Sequence, residues 1–302
     1  MVDVVIPTYD NYVELKECLI SLSRQTVLDF QVWIAVDGSQ DQTLFEIPKL
    51  LTSLPYRACI LQHKDEKNHG RAATRNLALP YISREYVWFL DSDMCPDTNC
   101  LAAHLSLLKL HGKNAISIGA IEYTNAHKNI WAKYLSTRGH AKYTHNQLLP
   151  WNYFITANSI LPSKFFVELN GFDENINKYG GEDMELSYRI YKKFAAKLYK
   201  NDLALCRTVQ EKSLSTALQQ LEEYGRYGLS YIYQKHLDMP KVYHIGKLSG
   251  NALKRKVYCF LTCSFGRFLA KQLVKYLPFR WSKFFINYLV ISAIFRGYSC
   301  KK

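Results

Sequence analysis

The stretch YVWFLDSDMCPD, residues 86–97, sets an apolar run against two aspartates. Tyr86 to Leu90 read as a strand buried on both faces, because five consecutive large apolar side chains leave no face for water. The run then stops at Asp91 and Asp93, one residue apart. Paired acids at a strand end lose hydration and repel each other, so something positive has to sit between them. Extended geometry carried past Leu90 would point both side chains to one side. A Mg²⁺ or Mn²⁺ ion suits such hard oxygens, held by one or two carboxylates together with substrate phosphates. For the tripeptide alone, an aspartate-rich turn capping the next helix is the stronger competitor.

Working outward, strand and helix take turns. VDVVIP, FQVWIAV, YRACILQ, EYVWFL and AISIGAI read as strands. Between them lie an amphipathic helix carrying Leu15, Leu19 and Leu22, and helices expected over Gln42–Ser53, Arg71–Leu79 and Thr98–His111. Residues 122–153 are polar and aromatic without a clean period. FITANSIL, a helix from Ser163, the turn NGFDEN, a helix beginning at GGED and the strand KLYKNDLALC complete the pattern. Such alternation implies an α/β fold: a Rossmann-like, mostly parallel sheet flanked by helices, which binds ligands at the carboxyl ends of its strands. Three of those ends are PTYDN (7–11), DGSQD (37–41) and DSD (91–93).

Composition narrows the class. A chain of 302 residues, 48% hydrophobic, can bury a full core. Its eight cysteines form no C-x-x-C pair, which argues against structural zinc and a disulfide scaffold. Cys259 and Cys263 stand one helical turn apart, a weak cue for acylation. The first strand begins almost at Met1 and leaves no room for a secretory leader, so a cytoplasmic start is expected.

Charge is unevenly placed. The net charge is +13, and all 13 of the cations that produce it follow residue 240, where there is no acid. Residues 212–302 therefore read as a helical, basic appendage to a domain spanning 1–211. Pro240 and Gly246 predict a break, and Pro278 an interruption of any tail helix. The longest uncharged piece, Phe284–Phe295, is 12 residues long, short of the ~20 that span a bilayer. A segment lying in an anionic membrane surface fits better, with Trp281, Phe284, Phe285, Tyr288 and Leu289 inserted. The Phe, Leu and Ile content disfavours nucleic acid as the partner. Packing on the first domain, or a homo-oligomer interface, is the plainer alternative.

The motifs VVIPTYDN (4–11), VDGSQDQT (36–43), NHGRAATRN (68–76), FLDSD (89–93), NGFDEN (170–175) and YGGEDMELSYR (179–189) stand in an order that resembles the glycosyltransferase family 2 proteins of the GT-A fold, over roughly residues 1–211. The resemblance implies that Pro7, Thr8 and Tyr9 line a nucleotide pocket and that Asp37 bonds the uracil or ribose of a UDP-sugar. It implies that Asp91 serves the nucleotide side and that Asp93 ligates the divalent metal. Arg71 and Arg75, four apart on one helix, would face the diphosphate. The GGED stretch is similar to a galactosyltransferase acceptor and base motif, with Gly180 and Gly181 at the acceptor, Asp183 as base and Glu182 as the alternative. Acids in a first helical turn are also ordinary capping, and Glu185 with Arg189 reads as a structural i,i+4 pair.

Two departures stand out. Many relatives have an acid where this chain has Val36, and many carry a metal-binding His after the last strand, where residues 203–211 have none. The metal would then rest on Asp93, phosphates and water, or on a later histidine such as His236 or His244, though a lone histidine is more often structural. The expected function is inverting, metal-dependent transfer of a hexose or N-acetylhexosamine to a lipid-linked glycan at the cytoplasmic membrane face. The alternatives are a sugar-nucleotide nucleotidyltransferase, which would need a glycine-rich basic loop that PTYDN lacks, and an inactive transferase-like membrane protein.

Overall fold

A computed structural model describes residues 1–239 and 262–299. The chain clusters into two units, residues 1–177 with 182–211, and residues 178–181 with 212–302. The first unit is built on one nine-stranded sheet. Its strands are β1 (Val2–Thr8), β2 (Phe30–Val36), β3 (Arg57–Gln62), β4 (Tyr86–Leu90), β5 (Met94–Pro96), β6 (Ala115–Glu122), β7 (Leu148–Leu149), β8 (Asn158–Pro162) and β9 (Lys197–Thr208). They lie in the order β3-β2-β1-β4-β8-β6-β9-β5, with β7 on β9.

Neighbours β3, β2, β1 and β4 are parallel. Strand β8 runs against both β4 and β6, so β6 and its parallel partner β9 share the direction of β4. Six strands thus run one way, and β5, β7 and β8 oppose them. Alternation along each strand feeds two cores. Val4, Ile6, Trp88 and Leu90 face α1 (Tyr12–Leu22) through Leu15, Leu19 and Leu22, while Val5, Val87 and Phe89 face Phe165, Phe166, Leu186 and Ile190. Each such side chain contributes about 1.5–3 kcal/mol when fully buried, which is why the strands read as continuous apolar runs.

The helices follow the expected order with shorter bounds: α2 (Thr43–Leu51), α3 (Arg71–Asn76) and α4 (Cys100–His111). Helix α3 gives way to a 3₁₀ turn at Leu79–Tyr81, because Pro80 has no N–H to donate four residues back and so cannot continue the α-helical ladder. The unpatterned connection contains α5 (Ile130–Leu135), whose first N–H groups are capped by the Asn129 side chain, and β7. Helices α6 (Ser163–Glu168) and α7 (Glu182–Phe194) close the second core.

Past Leu90 the extended geometry does not persist. The Met94 N–H donates to the Asp91 carbonyl at 3.1 Å, so residues 91–94 form a turn. The short strand β5 after it pairs Met94 with Thr208 of β9.

In the second unit, α8 (Leu214–Tyr224) passes through a π-helical turn, Gly225–Leu229, into α9 (Ser230–Lys235). Helices α10 (Ser264–Tyr276) and α11 (Phe279–Ser299) are separated at Pro278. Gly225 lies on the Ile294 backbone and Gly297 on that of Glu222, an approach of two helices that a Cβ at either position would block. The expectation that Leu289 enters a membrane is corrected: Leu289 is fully buried, and Phe285 and Tyr288 are half-buried, because α11 spends that face on its own helical neighbours. No helix among the described residues is long and apolar enough to cross a membrane. The break between Pro240 and Gly246, Cys259, His244 and the start of the basic tail at 254–261 lie outside the described residues.

Candidate active site

From β1 the chain moves outward to β2 and β3, then returns to β4 on the other side of β1. The switch point lies between β1 and β4, where doubly wound sheets open a crevice at their carboxyl ends. Loops from three strand ends are tied together there. The Asp10 N–H donates to Ser39 Oγ at 3.1 Å, and Asp10 Oδ1 accepts from the Gln40 N–H at 2.7 Å. Asn11 Nδ2 donates to Ser92 Oγ at 2.9 Å, and the Tyr12 N–H to Asp41 Oδ2 at 2.8 Å. Thr8 is buried, Pro7 half-buried, and Tyr9 is half exposed beside them.

Asp37 is buried, and both its oxygens are engaged: Oδ1 accepts from the His69 N–H at 2.7 Å and Oδ2 from the Gly70 N–H at 3.1 Å. These bonds hold the loop that starts α3. Gly70 enters that helix with φ +85°, a conformation side chains rarely adopt, and a Cβ there would meet the Asn177 carbonyl at 2.8 Å.

Helix α3 places Arg71 at the surface and Arg75 in the interior. Arg75, 2% exposed, bridges two carboxyl groups expected to work on opposite sides of the reaction. Its Nη2 donates to Asp91 Oδ1 at 2.8 Å and its Nη1 to Glu182 Oε1 at 3.3 Å. Burial works against the guanidinium charge, yet Asp91, Asp183 and Glu182 outweigh it and raise the Arg75 pKa. The sequence placed Arg75 on the diphosphate; its terminal nitrogens instead join the strand-end acid to the acid at the start of α7.

Asp183 is the next residue in that helix. Its Oδ2 accepts from the Thr156 N–H at 3.2 Å, whereas its Oδ1 is enclosed without a hydrogen-bond partner. Burial, then the neighbouring Glu182 charge, pushes its pKa up from 3.8 to about 7, against the pull of Arg75. That is a carboxyl group tuned towards proton exchange at neutral pH. Glu185 and Arg189 form the expected structural pair, and Arg189 also donates to the carbonyls of Leu169 and Gly171.

Asp93 is half-buried in the turn after β4. The end of β9 lies beside it, the Val209 N–H donating to the Asp93 carbonyl at 2.9 Å. This is where a histidine would have stood. Here Glu211 takes bonds from Thr208 Oγ1 at 2.8 Å and from the Asn125 N–H at 2.9 Å, and its Oε2 is enclosed without a partner. His236 follows α9 in the second unit. Among the described residues no three His, Cys, Asp or Glu side chains converge as a metal cage. What Asp91 and Asp93 offer is hard oxygen, at an edge where a single buried arginine faces Asp91, Glu182 and Asp183. That donor set and charge deficit fit a divalent cation shared with substrate phosphates.

Three contributors were missed in the sequence. Thr156 acts through its backbone, which any residue would supply. Glu211 was visible only as an acid past a strand end. The ties among Asp10, Ser39, Asn11 and Ser92 could have been suspected from the density of Asp, Asn and Ser at the strand ends. Gly180 and Gly181, with φ +81° and +107°, pack on Tyr224 within the second unit, and the Gly180 carbonyl lies against Gly228.

The chain is similar to known proteins along most of its length. Residues 3–169 match the family model for glycosyl transferase family 2, and residues 138–211 match that for the N-terminal domain of galactosyltransferase. Chondroitin synthase of Escherichia coli is 28% identical over 224 residues, covering 63% of this chain and 32% of that protein. A chondroitin synthase of Pasteurella multocida is 27% identical, with 63% of this chain and 23% of that one covered, so the chain spans a third or less of both. UDP-Glc:alpha-D-GlcNAc-diphosphoundecaprenol beta-1,3-glucosyltransferase WfgD of Escherichia coli is 30% identical over 151 residues, 49% of this chain and 55% of that one. Among solved structures, the mannosyltransferase PcManGT of Pyrobaculum calidifontis, in complex with GDP-Man and Mn²⁺, superposes with a TM-score of 0.66 at 16% identity, covering 99% of this chain and 88% of that one. TarS 1-349 of S. aureus with UDP-GlcNAc gives 0.60 at 16%, covering 98% and 89%. With the family model matched over more than half of its residues on a GT-A sheet, the chain belongs to glycosyl transferase family 2.

Proposed function

We propose that the protein transfers a hexose or N-acetylhexosamine from a UDP-sugar, with inversion, to a lipid-linked glycan at the cytoplasmic face of a membrane. The observation that carries the reading is the Arg75 bridge between Asp91 and Glu182, next to an Asp183 whose enclosed Oδ1 makes no hydrogen bond. In this reading Pro7, Thr8, Tyr9 and Asp37 border the nucleotide, Asp91 serves the nucleotide side, and the exposed Arg71 faces the diphosphate. Arg75 is a positioning residue, holding the two acids in register. The resemblance puts Gly180 and Gly181 at the acceptor, but Tyr224 and Ile232 of their own unit fill the space beside them, so their part is to let the backbone pass close to those side chains.

Asp183 takes the proton from the acceptor hydroxyl as that oxygen bonds to the anomeric carbon and the carbon–oxygen bond to the diphosphate breaks. One displacement from the opposite face inverts the centre. A Mg²⁺ or Mn²⁺ ion on Asp93, shared with the diphosphate, would supply charge stabilisation for the leaving group. Support for the donor comes from TarS, solved with UDP-GlcNAc, and for the acceptor from WfgD, whose name specifies a diphosphoundecaprenol-linked sugar. The membrane reading draws on that acceptor and on the cationic residues after 240.

The deciding experiment measures transfer and donor hydrolysis across UDP-linked Gal, GalNAc, Glc and GlcNAc with Mn²⁺, for wild type and Asp183→Asn. Transfer with one donor that the substitution removes, while UDP binding persists, is the expected result. Transfer that survives the substitution moves the base elsewhere, with Glu182 the first alternative.

A further inference from the structure

Helices α10 and α11 bury part of their apolar surface within their own unit, Ala270 and Val274 on one and Ile286, Leu289 and Ala293 on the other. Six large side chains on the same two helices do the opposite. Phe265, Phe268 and Leu269 are 74%, 59% and 48% exposed, and Tyr276, Trp281 and Phe284 are 73%, 66% and 69% exposed. Phe265, Phe268, Leu269 and Tyr276 recur at spacings that keep them along one side of α10, and Trp281 and Phe284 occupy the first turns of α11. Between them the chain turns at Leu277–Pro278. Ser282 Oγ donates to the Leu277 carbonyl at 2.8 Å, and the Trp281 and Ser282 N–H groups both donate to the Pro278 carbonyl at 3.0 Å, which fixes the elbow. Large apolar side chains left exposed on both arms of a fixed elbow mark a docking surface.

The charge around them selects the occupant. Lys271, Lys275 and Arg280 are exposed on the same helices, with the Lys275 ammonium 5.3 Å from the centre of the Tyr276 ring. Arg267, by contrast, is turned inward to Glu222 at 3.6 Å. No acid follows Asp238 in the sequence, so the cations beside these rings have no carboxylate of the same helices to neutralise them and favour an anionic surface. Apolar rings flanked by lysine and arginine suit an interface where rings sit among headgroups and cations meet lipid phosphates. We infer that the α10–α11 elbow is the membrane-docking surface, inserting Phe265, Phe268, Leu269, Tyr276, Trp281 and Phe284 into an anionic bilayer interface. This deepens the membrane part of the proposed function: Trp281 and Phe284 keep their expected place, and the exposed side of α10 takes that of Phe285, Tyr288 and Leu289.

The test uses the full chain, vesicles of phosphatidylcholine alone or with phosphatidylglycerol, and brominated lipids that quench tryptophan. Wild type should float with the anionic vesicles, lose at least tenfold in binding to neutral ones, and show quenching that Trp281→Phe removes while flotation persists. A Phe268→Ser, Trp281→Ser, Phe284→Ser variant should lose flotation by at least tenfold while remaining folded by circular dichroism. Should it fail to fold, Lys271→Gln, Lys275→Gln, Arg280→Gln gives the same reading through loss of the anionic preference. Flotation unaffected by both variants overturns the inference. So does a concentration-dependent dimer that the triple serine variant abolishes, with no vesicle binding in wild type. Transfer to a water-soluble acceptor should be unchanged in the charge variant; its absence in wild type would count against the catalytic reading and leave the flotation result standing.

Discussion

At the carboxyl edge of the sheet one buried guanidinium, Arg75, serves Asp91, Glu182 and Asp183, whereas the C-terminal helices past Asp238 carry cations and no acid. In the first region charge is enclosed, its geometry fixed to within hydrogen-bond distances, and its ionisation shifted. In the second, Lys271, Lys275 and Arg280 stand in water. Enclosed charge is costly to unpair and can be tuned for chemistry, while exposed charge is cheap to change and acts on what approaches from outside. The two regions should therefore respond to substitution in opposite ways.

The largest effect is expected at Asp183. Asp183→Asn removes a base whose contribution is typically about 10²–10⁴-fold, so single-turnover transfer should fall by about that factor while UDP affinity, read by calorimetry, stays within about twofold. Arg75→Met comes next. It leaves the buried Glu182 without its partner, and breaking a buried ion pair from one side costs about 3–5 kcal/mol. The urea midpoint should drop accordingly. Unchanged stability would mean that the enclosed edge tolerates charge as readily as the exposed helices do.

The pH profile sharpens the same contrast. The folded-state pKa of Asp183 lies near 7, above its ordinary 3.8, so the base is protonated and idle at pH 5 and ionised at pH 8. Transfer should rise about tenfold per pH unit below 7 and level above it. The stability contribution has the opposite sign. A carboxyl group with a raised folded pKa favours the folded state below pH 4, and that preference is lost as pH rises from about 4 to about 7. In Asp183→Asn both dependences should disappear. Binding by the C-terminal helices to anionic vesicles should show no matching step near pH 7.

Gly297→Ala probes packing in the second region instead of charge. The new methyl would fall on the Glu222 carbonyl, and the α8–α11 approach has no room for it. Overpacking costs about 1–3 kcal/mol, so thermal unfolding should shift downward while UDP binding is retained.

Much of the fold was legible because its signals are local and repeated. Apolar runs such as Val2–Ile6 and Tyr86–Leu90 declare strands buried on both faces, and the leucines of α1 declare a helix by their spacing. The connection at 122–153 was not, because α5 is six residues long and β7 two, too short for a period to emerge. At the site, the types of residue were legible but not their partners. Arg71 and Arg75 look equivalent in sequence, and only the tertiary placement of α3 sends one outward and the other between Asp91 and Glu182. Which oxygen of Asp183 is left alone depends on Thr156, whose backbone N–H, 27 residues away, engages Oδ2. In the basic tail the composition pointed to a surface role, and Trp281 and Phe284 are exposed, yet Leu289 is buried, because the pattern at 284–289 does not say which side of α11 its own neighbours will cover.

The smallest effect should come from Lys271→Gln. Lys271 lies on the exposed side of α10, where its stem is hydrated in the folded and unfolded chains alike, so removing its charge changes little that folding depends on. Stability should move by no more than about 0.5 kcal/mol. Its charge is nonetheless one of those that face whatever the elbow docks against, and vesicle binding should weaken measurably at low salt and converge with wild type as salt screens the surface. A substitution neutral in urea yet visible in flotation separates the two uses of charge in this chain. Were Lys271→Gln to shift the urea midpoint as far as Arg75→Met, the helix would be using that lysine for its own packing, and the contrast between an enclosed catalytic edge and an outward-facing cationic surface would not hold.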